Sequence, residues 1–126
     1  MLEFGAYLDQ TAAGEHDMFI LGYSNPTGDA DYQMYGLFHT EQIGNPGNRS
    51  FYSNPEVDAL LDEGRRATDP EEREEIYAEV AQLLTNDAPM AFLLHQEYLN
   101  GVANSVSGFD IDSAGIYKLK DVSINQ

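Results

Sequence analysis

The sequence predicts an α/β domain in which buried strands alternate with amphipathic helices. Three observations carry that reading. Two short, continuously apolar runs, MFIL at 18–21 and MAFLL at 90–94, have the length and composition of strands buried on both faces of a sheet. Two helix starts, Asn54-Pro55-Glu56 and Asp69-Pro70-Glu71-Glu72, share one capping grammar. Apolar residues make up 42% of the 126-residue chain and aromatics 11%, too hydrophobic for a disordered acidic tail. The resulting order is helix, strand, helix, helix pair, strand, terminal strands, that of a sheet flanked by helices.

Each element follows from local chemistry. From Glu3 to Ala13, Phe4, Tyr7, Leu8 and Ala12 recur at helical spacing, and Gly14 is placed to end the helix as its C′ residue. The run DMFILGY at 17–23 reads as a strand, and SNPTGD after it is dense in turn formers. Asp31 to His39 reads as a short helix with Tyr32, Tyr35, Leu37 and Phe38 as its bulk, and GNPGNRSFYS at 44–53 reads as loop. Asn54 then caps a helix with Pro55 at N1, an acid in the first turn and an apolar stripe of Val57, Leu60 and Leu61. Asp69 caps the next, with Glu72 at N3 and a buried face of Ile76, Tyr77, Val80, Leu83 and Leu84. Glu71, Glu74, Glu75 and Glu79 lie mostly opposite and read as solvated surface. MAFLL at 90–94 is the second expected buried strand, and IYKLKDVSI at 116–124 a final strand after Gly and Ser turns.

Charge narrows the partners. Six basic residues against 22 acidic ones leave a net charge of −16. Such a surface repels phosphate backbones and anionic membranes, which excludes nucleic-acid binding. Acid abundance with only two lysines, Lys118 and Lys120, fits a protein bathed in high salt, where self-repulsion is screened. There is no cysteine, so disulfides, thiolate catalysis and Cys-ligated metals are excluded. No apolar run approaches the roughly 20 residues needed to span a bilayer. The first residues, MLEFGAYLDQ, show neither a basic n-region nor an apolar h-region, so no export signal is expected in this chain.

Candidate chemistry is sparse. Gly22-Tyr23-Ser24-Asn25-Pro26 departs from the G-x-S-x-G elbow at its second glycine, which argues against a serine nucleophile. His16, His39 and His95 stand without helical-spacing partners and read as isolated histidines, not metal ligands. Asp29 and Asp31 form an acid pair whose expected use is turn solvation or ligand hydrogen bonding. Asp110-x-Asp112-x-x-Gly115 with Asp121 is only partly like a calcium loop, because Ala114 falls on a ligand position. Asn48-Arg49-Ser50 is a formal glycosylation sequon, read as plain loop. The stretch from Tyr23 to Phe38 differs in kind. It sets Tyr23, Tyr32, Tyr35 and Phe38 beside Ser24, Asn25, Thr27, Asp29 and Asp31 just past an expected strand end, where open α/β sheets hold ligands. Aromatic plates with carboxylates and amides suit a polar, amine-bearing small ligand; a Tyr-rich edge of the core is the competing reading.

Three segments resemble the C-terminal part of the extracellular oligopeptide- and dipeptide-binding proteins, the solute-binding components of ABC importers in the peptide/nickel class. They are DMFILGYSNPTGDADYQMYGLFHT, the run from NRSFYSNPEVDALLDEGRRATDPEEREEIY to APMAFLLHQ, and VSGFDIDSAGIYKLKDVSI. The resemblance implies part of the second lobe of a two-lobed, periplasmic-binding-protein-like α/β fold, a mixed sheet flanked by helices. Residues 1–94 would belong to that lobe, and residues 95–126 would be strands returning towards the first.

It further implies a non-catalytic fragment that takes no cofactor and holds a peptide or peptide-like ligand by cleft closure for delivery to ABC permease subunits. The expected location is extracellular or periplasmic, membrane-associated through a missing N-terminal anchor. The Thr27-Gly28-Asp29-Ala30-Asp31-Tyr32 run is similar to the glutathione-binding branch, and Tyr23 matches the family's aromatic at the cleft. The acid that pairs with a peptide's α-amino group in this family falls on Pro26 here. The ligand-binding residues this implies are Tyr23, Ser24, Asn25, Thr27 and Asp29, with Asp31 and Tyr32 partly structural. A fragment of this kind is expected to bind ligand weakly alone and to self-associate. The alternatives are a stand-alone acidic protein-interaction domain and, third, a hydrolase using Asp29 or Ser24.

Overall fold

The computed structural model describes residues 2–44, 47–95, 97, 99–112 and 114–125. Four helices form in the order α1 (Phe4–Ala12), α2 (Ala30–Phe38), α3 (Pro55–Arg66) and α4 (Pro70–Asp87), with a short 3₁₀ turn at Thr40–Gln42. Strands β1 (Val106–Ser107), β2 (Asp110–Ile111), β3 (Tyr117–Lys118) and β4 (Ser123–Ile124) follow. None of the helices is long and apolar enough to cross a membrane.

The helix ends sit where the local chemistry puts them. Asn54 Oδ1 accepts the Glu56 amide at 2.9 Å, and Asp69 Oδ1 accepts those of Glu71 and Glu72, both at 3.0 Å. Each cap thereby satisfies donors that the first turn leaves unpaired. Gly14, with φ of 74°, ends α1 in a Schellman arrangement: its amide donates to Thr11 O and that of Glu15 to Gln10 O. α2 begins one residue before the expected start, capped by Asp29, whose Oδ1 accepts the Asp31 amide at 2.8 Å.

The core lies between α2, α3 and α4. Phe38, Val57, Leu61, Tyr77, Val80 and Leu84 are its buried cluster, with Met34, Tyr35, Leu60, Leu83 and Met90 packed around it. Burial of each large aliphatic side chain contributes about 1.5–3 kcal/mol. α3 and α4 approach so closely at Gly64 that a Cβ there would stand 2.8 Å from Tyr77 Cζ. Arg73 of α4 ties the three helices together. Its Nη1 donates to the Gly64 and Ala67 carbonyls at the end of α3, and its Nη2 reaches both Asp29 oxygens at 2.7 and 2.8 Å. α1 is fastened through Arg49, which donates to Leu8 O and to Thr11 Oγ1.

The two apolar runs depart from expectation. Neither 18–21 nor 90–94 forms a strand, and Met18, Ile20, Phe92, Leu93 and Leu94 are exposed, Met18 at 90%. A strand needs a partner strand to take its amides and carbonyls, and among the described residues no strand pairs with either run. The sheet content is instead two antiparallel ladders, β1 with β4 (Val106↔Ile124) and β2 with β3 (Asp110↔Lys118). The single terminal strand expected over 116–124 is split by a turn in which the Val122 amide donates to Leu119 O, so its halves join different ladders.

Candidate functional site: an aromatic cleft beside α2

An open cleft of about 500 Å³ runs along α2. One wall is the chain at Gly22, Tyr23 and Ser24. The floor is α2, through Asp31, Tyr32, Tyr35 and Gly36; Gln42, Gly47 and Arg65 close the far side. Tyr23 and Tyr32 have ring centroids 6.2 Å apart and tilted by 44°, and both stay part-exposed. Gly36 leaves room for Tyr23: a Cβ there would lie 3.1 Å from the Tyr23 hydroxyl, a tight contact. Burial pushes the Tyr23 phenol above its ordinary value, and Tyr32 adds to the effect.

Charge in the cleft comes from α2 and α3. Asp31 Oδ1 lies 3.3 Å from Arg65 Nε. The Arg65 guanidinium lies over the Tyr35 ring, 3.9 Å from its centroid, and that ring stacks on His39 at 4.2 Å. The Tyr35 hydroxyl donates to Glu41 Oε2 at 3.3 Å; burial raises its phenol first and Glu41 second, with Arg65 opposing. His39 Nδ1 accepts the Glu41 amide at 3.1 Å, and Nε2 stands 3.7 Å from Asp62.

Of the seven sequence-predicted ligand residues, Tyr23, Ser24, Asp31 and Tyr32 line this cleft. Asn25, Thr27 and Asp29 do not, and their polar atoms build the loop. Asn25 Oδ1 accepts from the Thr27 and Gly28 amides and the Thr27 hydroxyl, while its Nδ2 donates to Asp29 O at 2.9 Å. Thr27 Oγ1 accepts the Asp29 amide, and the Asp29 carboxylate caps α2 and holds Arg73. Phe38, grouped with the cleft aromatics in sequence, is buried in the core. Gly36, Gln42, Gly47 and Arg65 also line the cleft without having been expected there. Arg65 lies thirty residues beyond Tyr35, the last tyrosine of the stretch, and only the packing of α3 on α2 brings it there.

The remaining motifs resolve into structure. Asn48 is fully buried and its Nδ2 donates to the His39 and Tyr52 carbonyls, so the folded sequon offers no free amide. Asn45 and Pro46 of the expected loop, and Ser113 in the calcium-like stretch, lie outside the described residues. Asp112 Oδ1 accepts the Ala114 and Ile116 amides, a turn between β2 and β3, and Asp110 pairs with Lys118 at 3.5 Å. Among the described residues no group of three His, Asp or Glu side chains is placed to hold a metal.

No family model matches the chain. Individual proteins do. A dipeptide-binding protein of Pseudomonas aeruginosa is 29% identical over 109 residues, covering 86% of this chain. The glutathione-binding protein GsiB of Pectobacterium atrosepticum is 28% identical over 110 residues, again 86% of the chain. Its homologues are peptide-binding and glutathione-binding proteins. Among solved structures, the periplasmic binding protein DppA of Helicobacter pylori, in complex with the peptide STSA, superposes with a TM-score of 0.64 and 35% identity over 70% of this chain. That neighbour bears out the expected fold class, a portion of a periplasmic-binding-protein-like α/β fold. The chain spans about a fifth of the length of the curated relatives it matches, and 18% of the DppA chain.

Proposed function

We propose that this chain is part of the solute-binding component of an ABC importer, and that it supplies one wall of a site for a peptide or peptide-like ligand. The observation that carries the proposal is the tyrosine-lined cleft beside α2, in a chain similar along most of its length to a binding protein solved with a peptide. Tyr23 and Tyr32 offer apolar plates that exclude water, while Ser24, Asp31 and Arg65 offer polar groups that orient a ligand. Asn25, Thr27 and Asp29 shape the wall. In this reading residues 1–94 belong to one lobe and 95–126 run towards the other. Closure of the lobes over the ligand produces the state that permease subunits recognise, on the extracytoplasmic side of the membrane. The function is binding, without chemistry on the ligand.

The test is titration calorimetry of the full-length gene product with Ala-Ala, Ala-Ala-Ala and glutathione in molar salt. Saturable heat with at least one of them, lost in Tyr23→Ala, is expected. Absence of heat with all three removes the peptide assignment.

A further inference from the structure

Eight asparagines lie along the chain, and Asn100 is the one followed by glycine. Asn25, Asn45 and Asn54 each precede a proline, whose nitrogen carries no hydrogen. Asn48 is fully buried with its side chain in four hydrogen bonds, and Asn86 lies inside α4, where the backbone is fixed. Asn104 stands before Ser105 in a turn closed by the Val106 amide on Ala103 O, and Asn125 donates to Ser107 Oγ at 2.8 Å. The Asn100-Gly101 pair is placed differently. Both residues are exposed and lie outside every helix and strand. A Cβ on Gly101 would meet nothing within 4 Å. Among the described residues, the Gly101 amide and Asn100 Nδ2 make no hydrogen bond. Asn100 Oδ1, by contrast, accepts the Tyr117 hydroxyl at 3.3 Å from the first strand of the β2–β3 turn's far side, β3.

A glycine amide that is unpaired and unshielded by a side chain is free to turn onto the side-chain carbonyl carbon of the residue before it. Negative charge then develops on Oδ1, and a hydroxyl already donating to that atom stabilises it. We infer that Asn100 is a modification site, converted by deamidation with the Gly101 nitrogen as nucleophile and the Tyr117 hydroxyl as donor to the developing oxyanion. The Gly101 N–Cγ bond forms as the amide proton passes to water. The Cγ–Nδ2 bond breaks, and the nitrogen takes a proton from water and leaves as ammonia. Water then opens the cyclic imide. Attack at Cγ leaves aspartate, and attack at the Asn100 main-chain carbonyl leaves isoaspartate, whose backbone runs through the side chain. In sum one water is consumed and one ammonia released, and the chain gains one carboxylate. The site stands on the tail alone and is independent of what the cleft binds.

The experiment incubates the folded full-length gene product at mildly alkaline pH and follows each asparagine by peptide mapping and mass spectrometry. Isoaspartate is read by enzymatic methylation of its free carboxylate. Asn100 is expected to convert faster than any other asparagine of this chain. Gly101→Ala should slow it by about fivefold or more, because the added Cβ restricts the backbone that must turn. That variant keeps the fold, since Gly101 lies in open space and outside the positive-φ region. Tyr117→Phe should slow conversion by about two- to fivefold, the worth of one exposed hydrogen bond. In guanidinium chloride, where the contact is gone, Tyr117→Phe and wild type should convert at one rate. An unmodified Asn100, or another asparagine of this chain converting as fast, overturns the site. Wild-type rates in folded Gly101→Ala overturn the nucleophile, and wild-type rates in folded Tyr117→Phe overturn the oxyanion donor.

Discussion

Asn48→Ala is the perturbation that most sharply tests how the cleft's far wall is held. Asn48 is fully buried, and its side chain makes four hydrogen bonds. Nδ2 donates to Tyr52 O at 2.7 Å and His39 O at 3.3 Å; Oδ1 accepts from the Tyr52 amide at 3.2 Å and the Ser50 hydroxyl at 3.0 Å. Two of these losses are discounted, because His39 O keeps the Gln42 amide at 3.0 Å and the Ser50 hydroxyl can rotate to water. What remains is the amide and carbonyl of Tyr52, stripped of the Asn48 bonds in a largely buried turn. At about 1 kcal/mol for each lost bond, plus desolvation of the groups left behind, the cost is about 3 kcal/mol. With a urea m-value of about 1.5 kcal/mol/M for a chain of this size, the unfolding midpoint should fall by about 2 M. The assay is urea unfolding followed by far-ultraviolet circular dichroism in molar salt, with Ser50→Ala as the control that removes one bond. A midpoint for Asn48→Ala no lower than that of Ser50→Ala would refute the reasoning, since it would mean that water replaces Asn48 freely and that the turn is not closed.

Two further outcomes follow from the packing and the charges. Gly64→Ala should destabilise by about 1–3 kcal/mol in the same assay, because the new methyl would lie 2.8 Å from Tyr77 Cζ and 2.9 Å from its hydroxyl, in an overpacked seam between α3 and α4; an unchanged midpoint would show that Tyr77 moves aside without cost. Tyr52 donates to Asp87 at 2.6 Å, and Asn54 does so at 2.9 Å; these bonds hold the Asp87 carboxyl below its usual value, while burial and then the same bond push the Tyr52 phenol up to about 12. The lowered carboxyl contributes stability present above its unfolded value and lost as pH falls through the folded one, and the raised phenol contributes stability present below pH 10 and lost as pH rises towards 12. The Tm of Tyr52→Phe should therefore lie below that of the wild type near neutrality, with the gap closing at both acid and alkaline ends; a gap independent of pH would contradict the assignment.

What was legible in the sequence was what is decided locally. Asn54, Asp69 and Gly14 announce helix ends because a cap is a bargain between neighbours in sequence, and the structure uses all three as expected. Strands are not local in that sense. The runs at 18–21 and 90–94 carry the apolar content of buried strands, but a strand exists only where another pairs with it. Part of the cleft lining was legible for the same reason as the caps: Tyr23, Ser24, Asp31 and Tyr32 lie close in sequence and stay close in space. Asn25, Thr27 and Asp29 build the loop and do not line the cleft, which composition could not announce because turn-forming and ligand-binding polar residues look alike in sequence. Their spacing carried the needed signal, since Asn25 two and three residues before Thr27 and Gly28 is the pattern of a side chain closing its own loop. The resemblance, drawn from order and motif across the whole chain, reached further than any single pattern, because it carries non-local information.

The scarcity of positive charge ties the fold to the cleft. With so few cations, each one placed inside the structure leaves the outer surface more acidic. Arg49 and Arg73 are placed inside, bound to carbonyls and, for Arg73, to the cap of α2, and Lys118 is matched to Asp110 within a hairpin. Glu71, Glu74, Glu75 and Glu79 stand exposed along α4, and no cation of the chain is paired with them among the described residues. A surface of this kind is compatible with folding where salt shortens the range of repulsion to a few ångströms. In such a medium long-range attraction between ligand and protein is also screened, so steering by net charge contributes little to binding. Recognition then has to come from contact: donors already oriented, close to a low-dielectric wall. Arg65, with its guanidinium over Tyr35 and its Nε 3.3 Å from Asp31, is a charge that acts at close range, whereas the −16 net charge of the chain acts only over distances that salt erases.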